Sequence, residues 1–144
     1  MQVGDIITIQ GMQVSDLSDT PLLKVSHAKD GQTVVGVVQG YAESVIKDKN
    51  EPDGAKHLVL RDGAAKAGDY VTIVMHGMME VNVSTSLGDI KSGDRLTVGV
   101  DGLARALQTR TIEGMQVSES SPTLGIALED ASKDGKIWVF VNPQ

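Results

Sequence analysis

The chain has 144 residues and a mass of 15.2 kDa, which is the size of one compact domain. Acidic residues exceed basic ones and give a formal net charge of −6, which argues against non-specific binding to nucleic acid or to an anionic membrane surface. The absence of cysteine excludes disulfides, cysteine-ligated zinc and thiol nucleophiles.

The dominant hydrophobic period is two residues, which is typical of strands. Nine short segments rich in β-branched residues are bounded by Gly, Asp, Asn or Pro and are predicted as strands, namely 5–9, 33–38, 57–60, 70–75, 79–83, 95–98, 103–107, 123–128 and 137–141. Nine or ten strands at this spacing predict an all-β fold, either a β-sandwich or a β-barrel. We expect a single β domain over residues 1–144.

Three segments interrupt this pattern. Residues 10–20 are polar and are predicted as a loop, and residues 43–56 are predicted as an exposed excursion between strands. Residues 42–49 are compatible with one or two helical turns, and we expect little other helix.

A Gly-Asp pair followed by an apolar strand occurs three times, at Gly4-Asp5, Gly68-Asp69 and Gly93-Asp94. A catalytic carboxylate is one interpretation, but Gly-Asp before a strand is ordinary turn chemistry, because the short carboxylate accepts backbone N–H bonds. We therefore predict structural turns at these three sites.

Two pairs of glycines indicate an internal repeat. Gly4 and Gly93 lie 89 residues apart, and so do Gly36 and Gly125, each with matching apolar flanks. This offset predicts two related β units over residues 4–38 and 93–127, with all four glycines as structural turn residues. The segments 11–15 and 114–118, both Gly-Met-Gln-Val-Ser, have a different offset and are either a recurring turn into a strand or an accident.

No set of residues has the spacing of a reactive or metal-binding site. The three histidines, His27, His57 and His76, form no local pair, and the segment 48–54 resembles a calcium loop whose ligands are out of register. Phosphate loops, dinucleotide-binding glycine patterns and the Gly-x-Ser-x-Gly motif are absent. Four aromatic residues are too few for nucleic-acid stacking. We expect no enzyme activity, cofactor or metal.

The C-terminal half contains a series of Gly-centred strand motifs, namely Gly68-Asp69-Tyr70-Val71-Thr72-Ile73, Gly93-Asp94-Arg95-Leu96, Asp101-Gly102-Leu103-Ala104, Leu124-Gly125-Ile126-Ala127 and Gly135-Lys136-Ile137-Trp138-Val139-Phe140-Val141. With the earlier Val34-Val35-Gly36-Val37-Val38, this layout resembles the β-rich modules at the C-termini of phage appendage and β-helix surface proteins. It is also similar to small phage head-decoration proteins. The resemblance implies a module that assembles, commonly as a trimer, and that caps or decorates a virion, fibre or other extracellular surface assembly.

The C-terminal strand is apolar at all five positions from Ile137 to Val141, so neither of its faces suits water. We predict Trp138, Phe140, Val139 and Ile137 as interface candidates in a homo-oligomer, with a trimer preferred. Nucleic acid and a membrane are not expected as partners, because the net charge is negative. No signal peptide is visible, and no segment approaches the ~18 apolar residues of a membrane span.

Two other functions stay open. The first is a carbohydrate- or ligand-binding β module, for which Trp138, Tyr41 and Tyr70 would have to supply the aromatic faces. The second is a self-processing intramolecular chaperone of the kind found in some appendage proteins, although no residue set here matches a cleavage motif.

Overall fold

Every regular element in the described part of this protein is a β-strand. The computed structural model describes residues 1–15, 18–46 and 56–144, and within them it contains no helix. Twelve strands are found there: β1 (Ile6–Ser15), β2 (Ser18–His27), β3 (Gly36–Ile46), β4 (Lys56–Arg61), β5 (Tyr70–Val74), β6 (Gly77–Val83), β7 (Arg95–Val98), β8 (Ala104–Ala106), β9 (Thr109–Ile112), β10 (Met115–Ser118), β11 (Thr123–Ala127) and β12 (Gly135–Val141). The prediction of an all-β fold with sandwich- or barrel-like sheets is confirmed.

The strands form one open sheet, one closed barrel and one separate hairpin. The open sheet has the order β2-β1-β3-β4, with β5 on the other edge of β3. The barrel has the order β11-β12-β6-β8-β7, and β9 pairs with β10 alone. All pairs are antiparallel except β6 with β8, which meet at a single parallel pair.

One hydrophobic core joins the sheet to the barrel. Strands β6, β7, β11 and β12 line this core, and Val81, Leu96, Leu124 and Val139 are fully buried in it. Ile6 of β1 and Val37 of β3 belong to the same cluster, as does Val34, which precedes β3. The first sheet is therefore packed on the barrel.

Four strands of the sheet and four of the barrel share one arrangement. We call β1, β2, β3 and β5 unit 1, and β7, β8, β11 and β12 unit 2. Their central strand pairs have the same register: Ile6 is opposite Val37 and Ile7 opposite Gly36, as Arg95 is opposite Ile126 and Leu96 opposite Gly125. Equivalent residues lie 89 positions apart, which is the offset seen in the sequence.

The equivalence extends to the hydrogen bonds and to the outer strands. The N–H of Gly4 donates to the carbonyl of Val38 at 2.9 Å, and the N–H of Gly93 donates to that of Ala127 at 2.8 Å. The outer pairs correspond as well, with Thr8–Ser26 matching Thr97–Arg105 and Val37–Val74 matching Ile126–Phe140. The fourth strand of each unit, β5 or β12, lies outside the two sequence ranges that suggested the repeat.

Two local predictions are wrong. Residues 10–15 and 18–20 belong to β1 and β2 rather than to a loop, because the two segments pair with each other as a hairpin and need no apolar alternation. Residues 42–46 continue β3 rather than starting a helix, since Ala42 lies between Leu60 of β4 and Tyr70 of β5. The segment 48–54, considered above as a calcium loop, lies outside the described residues.

Candidate functional site

The strand β12 divides the predicted interface residues between two environments. Ile137 and Val139 point into the barrel and are 4% and 0% exposed, whereas Trp138 and Phe140 point outward and are 41% and 36% exposed. Because side chains alternate along a strand, all four cannot face a partner. Trp138 and Phe140 are the surface residues, and Ile137 and Val139 belong to the core.

Apolar neighbours on the adjacent strands extend this outer surface. Phe140 lies opposite Met78 of β6 on one side and Ile126 of β11 on the other, and both of these side chains are exposed. The ring of His76 meets that of Phe140 edge to face, with centroids 5.2 Å apart. We call Met78, Ile126, Trp138 and Phe140 the barrel strip.

The hairpin β9–β10 exposes apolar side chains away from the barrel. All eight of its strand residues are exposed, and these include Ile112, Met115 and Val117. An isolated two-stranded hairpin is marginally stable in water, so a third strand or a packed surface is needed to fix it. We call β9 and β10 the hairpin arm. The sequence did not predict β9, and for residues 114–118 a recurring turn into a strand was one of two interpretations.

The outer ends of the open sheet have the same character. Met12 and Val14 of β1 are 72% and 74% exposed, and Leu60 of β4 is 75% exposed. Leu23, which lies opposite Met12 across the hairpin, is also exposed. Apolar residues therefore reach the surface at several strands that extend beyond the common core.

The three Gly-Asp pairs form the same turn. Gly4, Gly68 and Gly93 each have φ of 94°, a left-handed conformation that favours glycine. In each turn, Oδ2 of the following aspartate accepts the backbone N–H of the residue three positions before it, at 2.7 Å for Asp5, 2.7 Å for Asp69 and 2.9 Å for Asp94. The prediction that Gly36 and Gly125 are turn residues is wrong, since they lie within strands β3 and β11. Glycine is required at both positions because the backbone of the neighbouring strand leaves no room for a Cβ atom.

Asp5 makes further hydrogen bonds that the other two aspartates do not make within the described residues. Its Oδ1 accepts Nδ2 of Asn82 at 2.8 Å, and its Oδ2 lies 2.8 Å from Nε2 of His27. These residues line an open surface cavity of about 410 Å³, and the part of its lining that the structure describes contains no serine, threonine or lysine. The Asp5 carboxylate therefore ties β6 to unit 1.

A second polar cluster surrounds Arg105 of β8. Its guanidinium donates to both oxygens of Glu119 at 2.8 Å and to Asp30 at 3.2 Å, and Glu119 also accepts the hydroxyl of Ser121 at 2.6 Å. The hydrogen bond to Glu119 raises the pKa of Arg105. The bond from Arg105 lowers the pKa of Glu119 to about 2, against the opposing effect of burial. Within the described chain, Nε of Arg105 is buried without a hydrogen-bond partner.

The described residues contain no group of three or more His, Asp or Glu side chains placed to hold a metal ion. Of the histidines whose side chains the structure describes, His27 contacts Asp5 and His76 contacts Phe140. Among the described residues there is also no helix long and apolar enough to cross a membrane.

Comparison with known proteins gives no relative on which to base a function. No family model, no curated protein and no solved structure matches the chain. We therefore base the proposed function on the barrel strip and the hairpin arm.

Proposed function

We propose that this chain is a non-enzymatic assembly module that forms a homo-oligomer and caps or decorates a larger virion, fibre or surface assembly. The observation that supports it is the outward placement of apolar side chains on the barrel strip and the hairpin arm. The barrel strip lies on strands whose other face is already buried in the core, whereas the strands of the hairpin arm are exposed on both faces.

The energetics favour burial of these surfaces. Each large apolar side chain removed from water contributes roughly 1.5–3 kcal/mol. The hairpin arm offers Ile112, Met115 and Val117, and the barrel strip adds one Trp and one Phe. Neighbouring apolar residues on adjacent strands form a patch, and exposed patches of this kind mark interaction sites.

A homotrimer is the form that we propose. Symmetric association covers exposed strand edges without additional sequence, and a contact between two different surfaces of one chain generates a closed ring when the rotation between copies closes. Attachment to a larger body is the role that the sequence resemblance implies, and it would place the protein on a virion or an extracellular surface.

Native mass spectrometry and light scattering test the assembly directly. We expect a mass of three times 15.2 kDa at micromolar concentration. Trp138→Gln should shift the distribution toward the monomer, whereas Lys136→Gln, an exposed change on the same face of β12, should leave it unchanged. A wild-type protein that stays monomeric at micromolar concentration would overturn the proposal.

Saccharide binding is a second candidate, because Trp138 presents an exposed aromatic face beside carboxylates. Glu80 lies directly opposite Trp138 across the strands, and Oε2 of Glu129 accepts the backbone N–H of Trp138 at 2.8 Å. Trp138 is the only tryptophan, so its fluorescence reports on this surface alone. Titration with oligosaccharides should change the emission if this function is correct. An unchanged emission in a dissociated variant such as Phe140→Asp would exclude it.

A further inference from the structure

The two units differ at strand β6, which closes unit 2 and has no equivalent in unit 1 among the described residues. In unit 2 the outer edge of β12 pairs with β6 along seven residues, from Gly77 opposite Val141 to Val83 opposite Gly135. Strand β5 of unit 1 is equivalent to β12, and within the described chain it pairs with β3 alone. Its outer edge from Val71 to Val74 is therefore unpaired where unit 2 has β6.

Side-chain exposure shows that unit 1 is open at this place. Val98 and Val141 of unit 2 are both 0% exposed, whereas their equivalents Ile9 and Met75 in unit 1 are 46% and 60% exposed. Val71 and Ile73 are half-buried, although their equivalents Ile137 and Val139 are buried. Unit 1 therefore has the apolar lining of a closed barrel, and among the described residues no strand covers it.

The chain carries a second segment with the pattern of β6. Strand β6 contains Met79-Glu80-Val81-Asn82, in which Val81 is buried and Met79 packs against the core. Strand β10 is Met115-Gln116-Val117-Ser118, with apolar and polar residues in the same order. In β10, however, Met115 and Val117 are 68% and 42% exposed. A core-type strand thus lies on the surface, in the hairpin arm, and among the described residues β9 pairs with one of its two edges and no strand with the other.

We infer that, in the homo-oligomer proposed above, β10 of one copy pairs antiparallel with the outer edge of β5 of the next copy. Addition of a strand to an exposed sheet edge is a common mode of recognition, in which backbone hydrogen bonds give affinity and alternate side chains give specificity. This inference rests on the proposed function, because it needs a second copy of the chain.

The template in unit 2 fixes the register. Met79 is opposite Val139 and Val81 is opposite Ile137, so the corresponding contacts place Met115 opposite Ile73 and Val117 opposite Val71. The contact joins two different surfaces, and such a heterologous contact closes into a ring when its rotation permits, in agreement with a trimer. Met12-Gln13-Val14-Ser15 of β1 has the same order of residues, and it is the competing donor that an experiment must exclude.

Cysteine cross-linking between copies tests this register, because the chain has no cysteine of its own. Ile73→Cys and Met115→Cys are made as separate variants, mixed, dissociated, reassembled and mildly oxidised. We expect a disulfide-linked heterodimer. The matched control mixes Ile73→Cys with Gln116→Cys, whose side chain points to the other face of β10 and should not cross-link. Met12→Cys replaces Met115→Cys in a third mixture.

A heterodimer formed only with Met115→Cys supports the inference. Equal cross-linking in all mixtures, cross-linking with Met12→Cys, or none in any mixture overturns it.

A second measurement is independent of disulfide geometry. Met115→Asp should dissociate the oligomer and Gln116→Asp should not, and both residues are too exposed for either change to unfold the domain. If the wild-type protein is an oligomer but the Met115 variants behave as their controls, this inference fails and the assembly proposal stands. A monomeric wild type removes both.

Discussion

Gly36 of β3 and Gly125 of β11 occupy equivalent positions in the two units, and at each of them a carbonyl group of the neighbouring strand approaches too closely for a side chain. A Cβ atom on Gly36 would meet the carbonyl oxygen of Val74, and one on Gly125 would meet that of Phe140. Val74 and Phe140 are themselves equivalent. The repeat therefore preserves a close contact between two neighbouring strands as well as a sequence motif.

Replacing either glycine should destabilise the fold. Gly36→Ala and Gly125→Ala force a methyl group against backbone, which cannot rotate away, so we expect a loss of ~1–3 kcal/mol or more in the free energy of unfolding. Gly135→Ala is the matched control, because nothing lies within 4 Å of the added Cβ. Urea unfolding followed by circular dichroism measures all three. Equal stability of Gly125→Ala and Gly135→Ala would contradict the expected collision.

The aspartates of the three Gly-Asp turns should differ in their contribution to stability. Asp94 accepts the turn N–H of Lys91, whereas Asp5 accepts its turn N–H and also contacts Asn82 and His27. Since each hydrogen bond contributes ~1 kcal/mol, Asp94→Ala should lower the free energy of unfolding by ~1 kcal/mol and Asp5→Ala by ~3 kcal/mol. Asp69→Ala serves as a second turn-only control. Equal losses at all three sites would show that the Asn82 and His27 contacts add nothing.

Adjacent residues of β12 should separate folding from assembly. Val139→Asp places a charge inside the barrel and should unfold the protein, because a buried unpaired carboxylate is highly unfavourable. Phe140→Asp places the same charge on the outer face and should keep the β-sheet circular dichroism while lowering the native mass. If Phe140→Asp retains the wild-type mass, the barrel strip is not part of the interface.

The sequence predicted the elements whose signals are local. Several strands that line the core alternate between buried and exposed residues, and the Gly-Asp turns depend on a carboxylate and a backbone N–H three residues apart. Both patterns could therefore be recognised in the sequence. The offset between Gly36 and Gly125 could be recognised for a related reason. Any side chain at either position would collide with the neighbouring strand, so both positions need glycine.

The elements that the sequence did not predict depend on distant pairing. Strand β9 has no apolar alternation, and the alternation of β10 is only four residues long, so neither strand has a strong local signal although the two pair as a local hairpin. Along β12 every residue from Ile137 to Val141 is apolar, and composition therefore could not tell the core face from the outer face. The partners Asp30 and Arg105 are 75 residues apart, and no local pattern links them.

The ion pair of Arg105 and Glu119 should make stability depend on acid pH. Its hydrogen bonds lower the pKa of folded Glu119 from an ordinary value of 4.5 to about 2. A depressed folded-state pKa means that the stabilisation is complete above the unfolded pKa and is lost as the pH falls from about 4.5 toward 2. Glu119→Gln should therefore be ~2–3 kcal/mol less stable than wild type at pH 7 and should lose less stability over that acid range.

Glu113→Gln, an exposed change in the turn of the hairpin arm, is the control and should follow the wild-type curve. Urea unfolding at a series of pH values measures the three proteins, and an equally steep acid loss in Glu119→Gln would show that this pair does not govern the dependence.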